Sequence, residues 1–153
     1  MQNREHTMRT LVLHPTETCQ WYALVNEAQV TANLMLREDI ESYLVFLLMR
    51  FSQGTKLVES VIALDFLHGL HAGRSHKIEL LRDVGDKSLL FSGLFEDVAK
   101  HRQVSLDYFI GIGRSAYFSL GKLYEAKTAS LYYELSQQFV PMQHVLQAIR
   151  KCN

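Results

Sequence analysis

SLDYFIGIGRSAYFSLGKL, residues 105–123, is the segment on which the reading of the fold turns. Phe109, Ile110, Ala116, Tyr117, Leu120 and Leu123 return at intervals of three and four, which lays them along one side of an α-helix. A strand would instead alternate apolar and polar residues. Ser105 offers a side-chain oxygen to an otherwise orphaned backbone N–H, and Asp107 puts negative charge in the first turn, where the helix dipole favours it. The spacing therefore predicts a helix opening at Ser105.

The same period extends in both directions, and proline occurs only at Pro15 and Pro141. Thr16 is the expected cap of a first helix with the apolar stripe Trp21, Leu24, Val25 and Ala28. A second helix is expected from about Arg37 to Gln53, with Glu38, Asp39 and Glu41 in its first turn, Arg50 in its last and Gly54 as its stop. Thr55 caps a third, carrying Leu57, Val58, Val61, Ile62, Leu64 and Leu67. His71 to Arg74 reads as a turn, after which Ser75 caps a long fourth helix toward Arg102, with Gly85 a point of kinking or interruption. The helix from Ser105 is the fifth. Two shorter ones follow, from about Thr128 to Phe139 and from near Pro141, since the first helical turn tolerates a residue without an N–H. The prediction is all-α: a single-domain helical bundle of about six to seven helices over residues 15–153, behind a flexible N-terminal segment, 1–14.

Composition narrows the function classes. An apolar fraction of 48% over 153 residues is enough to bury one core and excludes a chiefly disordered chain. Sixteen Lys and Arg balance sixteen Asp and Glu, so no net field gathers a polyanion, and no nucleic acid partner is expected. The helix after Gly54 offers one cation, Lys56, among Val, Ile, Leu and Phe, which argues against a DNA-reading helix-turn-helix. Cys19 and Cys152 form neither a disulfide framework nor a metal spacing, which suits a reducing compartment. Met1 to Thr10 lacks a secretory apolar stretch, and the run Tyr43 to Met49 is far shorter than the roughly 20 residues a membrane span needs. A cytoplasmic location without a membrane partner is expected.

Catalytic motifs find little support. There is no Gly-x-Ser-x-Gly elbow, and Gly111-Ile112-Gly113 lacks the third glycine, the preceding strand and the lysine of a phosphate loop. Asp107 and Arg114 lie seven apart on one helix face and read as an ion pair or cap. His68, His71 and His76 cluster, and Asp65 with His68 places a carboxylate and an imidazole one helical turn apart. A di-iron bundle needs two Glu-x-x-His elements and two further glutamates, against one Asp variant and the pair Glu38 and Glu41 here. No metal and no cofactor is therefore expected, with Asp65, His68 and His71 as the alternative ligand set.

The glycines are the informative residues. Each helix-interior glycine costs about 1 kcal/mol relative to alanine, so those in GDKSLLFSGLF (85–95) and YFIGIGRSAY (108–117) call for a compensating contact. Ser88, Ser92 and Gly93, and likewise Gly111, Ser115 and Ser119 at spacings of four, suggest a close crossing of the helices from Ser75 and Ser105 or the small-residue wall of a pocket between them. The aromatics Tyr108, Phe109, Tyr117, Phe118, Tyr124, Tyr132 and Tyr133 suit a core and also a protein contact surface.

The two glycine-containing segments resemble a pattern of small, uncharacterised bacterial cytosolic proteins: Gly-Asp, an apolar run with Ser-Gly-Leu-Phe, a Tyr-aromatic pair, then Gly-x-x-Ala-Tyr. Tyr132-Tyr133, Phe139 and Val145-Leu146 extend the likeness over the last half of the chain. The resemblance implies no activity and transfers no catalytic residue. A shared site would fall on Asp86, Ser92, Gly93, Tyr108, Gly113, Arg114 and Tyr117. The leading expectation is a non-enzymatic helical protein-interaction or regulatory domain, pairing with itself as a homodimer or with another protein. The alternative is a small-ligand- or metal-binding protein with its pocket between the fourth and fifth predicted helices.

Overall fold

Ser105 does open a helix: its Oγ accepts the backbone N–H of Tyr108 at 3.2 Å. Thr16 does the same for Cys19 at the start of the first helix. In the computed structural model the described residues are 16–53, 66, 68, 71, 73–97 and 105–152. They form α1 (Glu17–Ala32), α2 (Glu38–Ser52), α3 (Arg74–Gly93), α4 (Leu106–Leu123), α5 (Ala126–Gln137) and α6 (Phe139–Cys152). The fold is all-α, and no strand occurs among the described residues. No helix among them is long and apolar enough to cross a membrane. The expected flexible segment 1–14 and the third predicted helix, Thr55 to Leu67 with Asp65, lie outside the described residues, apart from Phe66, which is helical.

The helices form one bundle. α3 packs most extensively on α4, α4 on α5, and α6 closes the bundle by lying against both α1 and α3. Its interior holds Val25 and Ala28 of α1, Ile40, Leu44 and Leu48 of α2, Leu81 and Leu89 of α3, Leu120 of α4, Leu135 of α5, and Phe139, Met142 and Leu146 of α6. α1 ends where Asn33 takes the left-handed conformation, φ 55°, which asparagine tolerates better than most residues. Buried Gln29 then fixes the turn, its Oε1 accepting from Leu36 N–H at 2.7 Å while its Nε2 donates to Glu41 at 2.6 Å. α4 and α5 are joined through Tyr124 and Glu125 with Ala126 at φ 53°.

Several boundaries differ from the sequence reading. α3 begins at Arg74 behind Gly73, so Ser75 sits inside the first turn and is not the cap; His71, placed in the turn, is helical. The helix passes Gly85 without interruption and stops at Gly93, well short of Arg102, with Leu94 and Phe95 both returning N–H groups to the Leu90 carbonyl. α5 starts at Ala126 and not at Thr128, and Phe139 opens α6. Pro141 is then the third residue of α6, where its missing N–H has no intrahelical acceptor to lose.

Close packing accounts for four glycines. A Cβ at Gly85 would lie 2.5 Å from the Tyr117 ring, one at Gly93 2.5 Å from Leu146, and one at Gly121 2.6 Å from Tyr133; one at Gly113 would overlap the Phe139 ring. The α3–α4 seam is therefore filled by protein at Gly85 and Gly113, while Gly93 marks a close approach to α6 and Gly121 one to α5. Gly111 and Ser115, read as part of that crossing, instead face outward and are exposed. The apolar positions decided the rotation of α4: burying Phe109, Ala116, Tyr117 and Leu120 turns the 111/115/119 face to the opposite side.

Ser88 is fully buried on this seam, and its Oγ has no hydrogen-bond partner among the described residues. A buried unsatisfied hydroxyl costs about 1–3 kcal/mol, and alanine removes it without adding volume. Ser88→Ala is accordingly expected to raise stability by about 1 kcal/mol in urea unfolding; a loss of stability would show that the hydroxyl is satisfied in solution.

Candidate functional site

The polar centre of the bundle is Asp86, on α3 with a side chain only 7% exposed. Its Oδ1 accepts from the phenols of Tyr43 on α2 at 2.6 Å and of Tyr117 on α4 at 2.7 Å. Its Oδ2 receives the Arg50 guanidinium at 2.6 Å. Tyr43 and Arg50 reach one carboxylate because seven residues, two helical turns, separate them on α2. Three donors from two other helices thus converge on one side chain of α3 and occupy most of its roughly four acceptor positions.

A second arginine extends the network. Arg82 lies one turn before Asp86 and donates to Tyr132 at 3.2 Å and Tyr124 at 3.1 Å. Those two rings stack at 5.4 Å, and Tyr132 also meets Tyr43 edge-on at 6.2 Å. α2, α3, α4 and α5 are all tied into one tyrosine–arginine–carboxylate cluster.

Burial, and after it the charge of Asp86, holds the phenols of Tyr43 and Tyr117 protonated well above the usual tyrosine range. Burial also raises Tyr132, against the lowering effect of the Arg82 guanidinium. Burial works against the charge on Arg50 but is outweighed by Asp86, and on Arg82 it is outweighed by Tyr132 and Tyr124; both guanidinium groups end above their ordinary value. Since the fold favours the neutral phenols, their contribution is complete below about pH 10, the ordinary tyrosine value, and is lost as pH rises through the folded values. Alkaline titration should therefore show part of the tyrosinate absorbance appearing only with cooperative loss of helical circular dichroism. Complete tyrosinate formation in a still-helical protein would contradict the cluster.

Chemically, the cluster is a pin: three donors of the protein itself engage the carboxylate and tie α2, α3 and α4 together. Arg50, 52% exposed, is the member nearest to water, while Tyr117 is fully enclosed. Of the seven residues singled out by sequence, only Asp86 and Tyr117 meet in it. Ser92 is buried lower on α3 and donates to its own helix at Leu89. Gly93 lies against Leu146 and Gly113 against Phe139. Tyr108 is exposed, and Arg114 turns to the Ser136 carbonyl at 3.1 Å rather than to Asp107. Neither Tyr43 and Arg50 as partners of Asp86 nor Arg82, Tyr124 and Tyr132 as the extension of its network were foreseen; the i, i+7 pair on α2 and the i, i+4 spacing of Arg82 and Asp86 were the available signals.

His68, His71 and His76 are exposed, and Asp65 lies outside the described residues. Among the described residues no three His, Cys, Asp or Glu side chains are grouped to hold a metal ion.

The other feature is on the outside of α4. Tyr108, Gly111, Ser115, Phe118, Ser119 and Lys122 fall within about 100° of one another around the helix, opposite the buried face. Phe118 is 47% and Tyr108 40% exposed. An open groove runs along this face, lined by Gly111, Arg114, Ser115, Phe118, Ser119 and Ser136. Its floor is held by a reciprocal pair: Arg114 Nε donates to the Ser136 carbonyl, and Ser136 Oγ donates at 2.8 Å to the Arg114 carbonyl. Comparison with family models, curated proteins and solved structures returned no match for this chain.

Proposed function

We propose that this chain is a non-enzymatic helical protein-interaction domain, used in regulation or assembly, with the outer face of α4 as its contact surface. The observation that carries the reading is the placement of two large aromatics, Tyr108 and Phe118, beside an open groove of small residues on a helix whose opposite face is fully engaged. Aromatic side chains around a small-residue floor are the composition of a contact centre, where they give large buried area for little lost rotamer freedom. The buried carboxylate supports the same reading: its donors already come from within the protein, so it serves to hold three helices in register beneath that surface. A cytoplasmic location belongs to the proposal, and the exposed free thiol of Cys19 suits a reducing compartment.

Site-specific photo-crosslinking tests this. A crosslinking residue at Ser115, compared with one at exposed Ser130 on α5, should yield a discrete adduct from Ser115 alone, and Phe118→Ala should suppress it. Equal products from both positions, indifferent to Phe118→Ala, would refute the assignment.

A further inference from the structure

Gly111 is unlike the other helix-interior glycines. A Cβ at Gly85, Gly113 or Gly121 would run into a ring of this chain, but one at Gly111 meets nothing within 4 Å. The helix bears the cost of that glycine without any contact among the described residues to justify it. The space belongs to the groove between Arg114, Ser115 and Phe118, so the missing side chain leaves room for something from outside.

We infer that the occupant is a second copy of this chain, with its α4 packed antiparallel across the first, so that Phe118 of each copy seats over Gly111 of the other. This rests on the interaction reading above and specifies its partner. Four relations support self-pairing. A two-fold axis near Arg114 and Ser115 brings position 111 opposite position 118 twice, so one bulky and one absent side chain on the same face complement each other. The same axis brings Asp107, in the first turn of α4, opposite Lys122 in its last, an opposite-charge pair at both ends of the contact. Lys122 already lies 4.9 Å above the Phe118 ring, so the cation travels with the aromatic anchor toward the second copy's Asp107. Finally, equal numbers of acidic and basic residues leave no net charge to oppose association of identical chains.

Sedimentation velocity on the full chain over a concentration series tests the pairing. The wild type should form a dimer, and Gly111→Leu should weaken it by ~30-fold or more, as expected for a blocked anchor pocket. The leucine projects into open space in the monomer, so helical circular dichroism and thermal unfolding report whether the fold is intact. Asp107→Lys and Lys122→Asp should each weaken the dimer, and the double variant should recover it, which only an antiparallel register allows. A wild type that stays monomeric, a dimer indifferent to Gly111→Leu, or a double charge variant no better than the singles would overturn the inference. A monomer that still gives a Phe118-dependent crosslink to a different protein would leave the interaction reading standing and remove self-pairing alone.

Discussion

Asp86→Ala is expected to destabilise the protein by about 3–4 kcal/mol, with a fall in Tm on the order of 10 °C. The variant leaves the fully buried Tyr117 phenol and the Tyr43 phenol without their common acceptor. Each buried donor left unpaired costs about 1–3 kcal/mol. Arg50 contributes less, because its half-exposed side chain can return to water. Against a typical total stability of about 5–15 kcal/mol, this is a large fraction. Asp86→Asn keeps one oxygen for the phenols but sets an amide N–H₂ group against the guanidinium, and should lose about half as much. The decisive control is Asp86→Ala in a Tyr43→Phe, Tyr117→Phe background, where the orphaned donors are gone and the cost should shrink to about 1 kcal/mol. Urea unfolding of the set measures it; equal costs in both backgrounds would show that the tyrosines are not what Asp86 serves.

The second large effect comes from a single methyl group. Gly113→Ala is expected to cost about 2 kcal/mol net, the balance of about 3 kcal/mol of overpacking and about 1 kcal/mol returned by better helix propensity. The added Cβ overlaps the ring of Phe139 and comes within 3.0 Å of Ser88 Cβ. Phe139 is fully buried at the start of α6, so it yields only if α6 shifts with it. Gly111→Ala, two residues earlier on the same helix, enters open space and should stabilise the monomer by about 1 kcal/mol. Measured side by side at low concentration, the pair separates packing from propensity; two variants of equal stability would mean that the α4–α6 contact is looser than described.

The helices were legible in the sequence because their signals are local. Apolar spacing, the caps Thr16 and Ser105, and the acid-to-base order along α2 each act within a turn or two, and each is found in the structure. The end of α3 was not legible in the same way. Its apolar residues continue past Gly93, and the stop coincides with the close approach of Leu146, more than fifty residues along the chain. The candidate site divided along the same line. Asp86 and Tyr117 were both singled out, but nothing local tied them to each other or to Tyr43 until helix packing brought the two hydroxyls to one oxygen. On α4 the small stripe and the apolar stripe both obey helical spacing; burial of the apolar one determined which of them faces water.

The paired hydrogen bonds between Arg114 and Ser136 also bear on kinetics. They lock α4 and α5 together at the bottom of the groove from both directions, so the proposed contact surface is preorganised. Capture on the proposed surface should then require no slow rearrangement: its speed is expected to follow how often molecules meet in the right orientation, and differences in affinity among variants to fall chiefly in residence time.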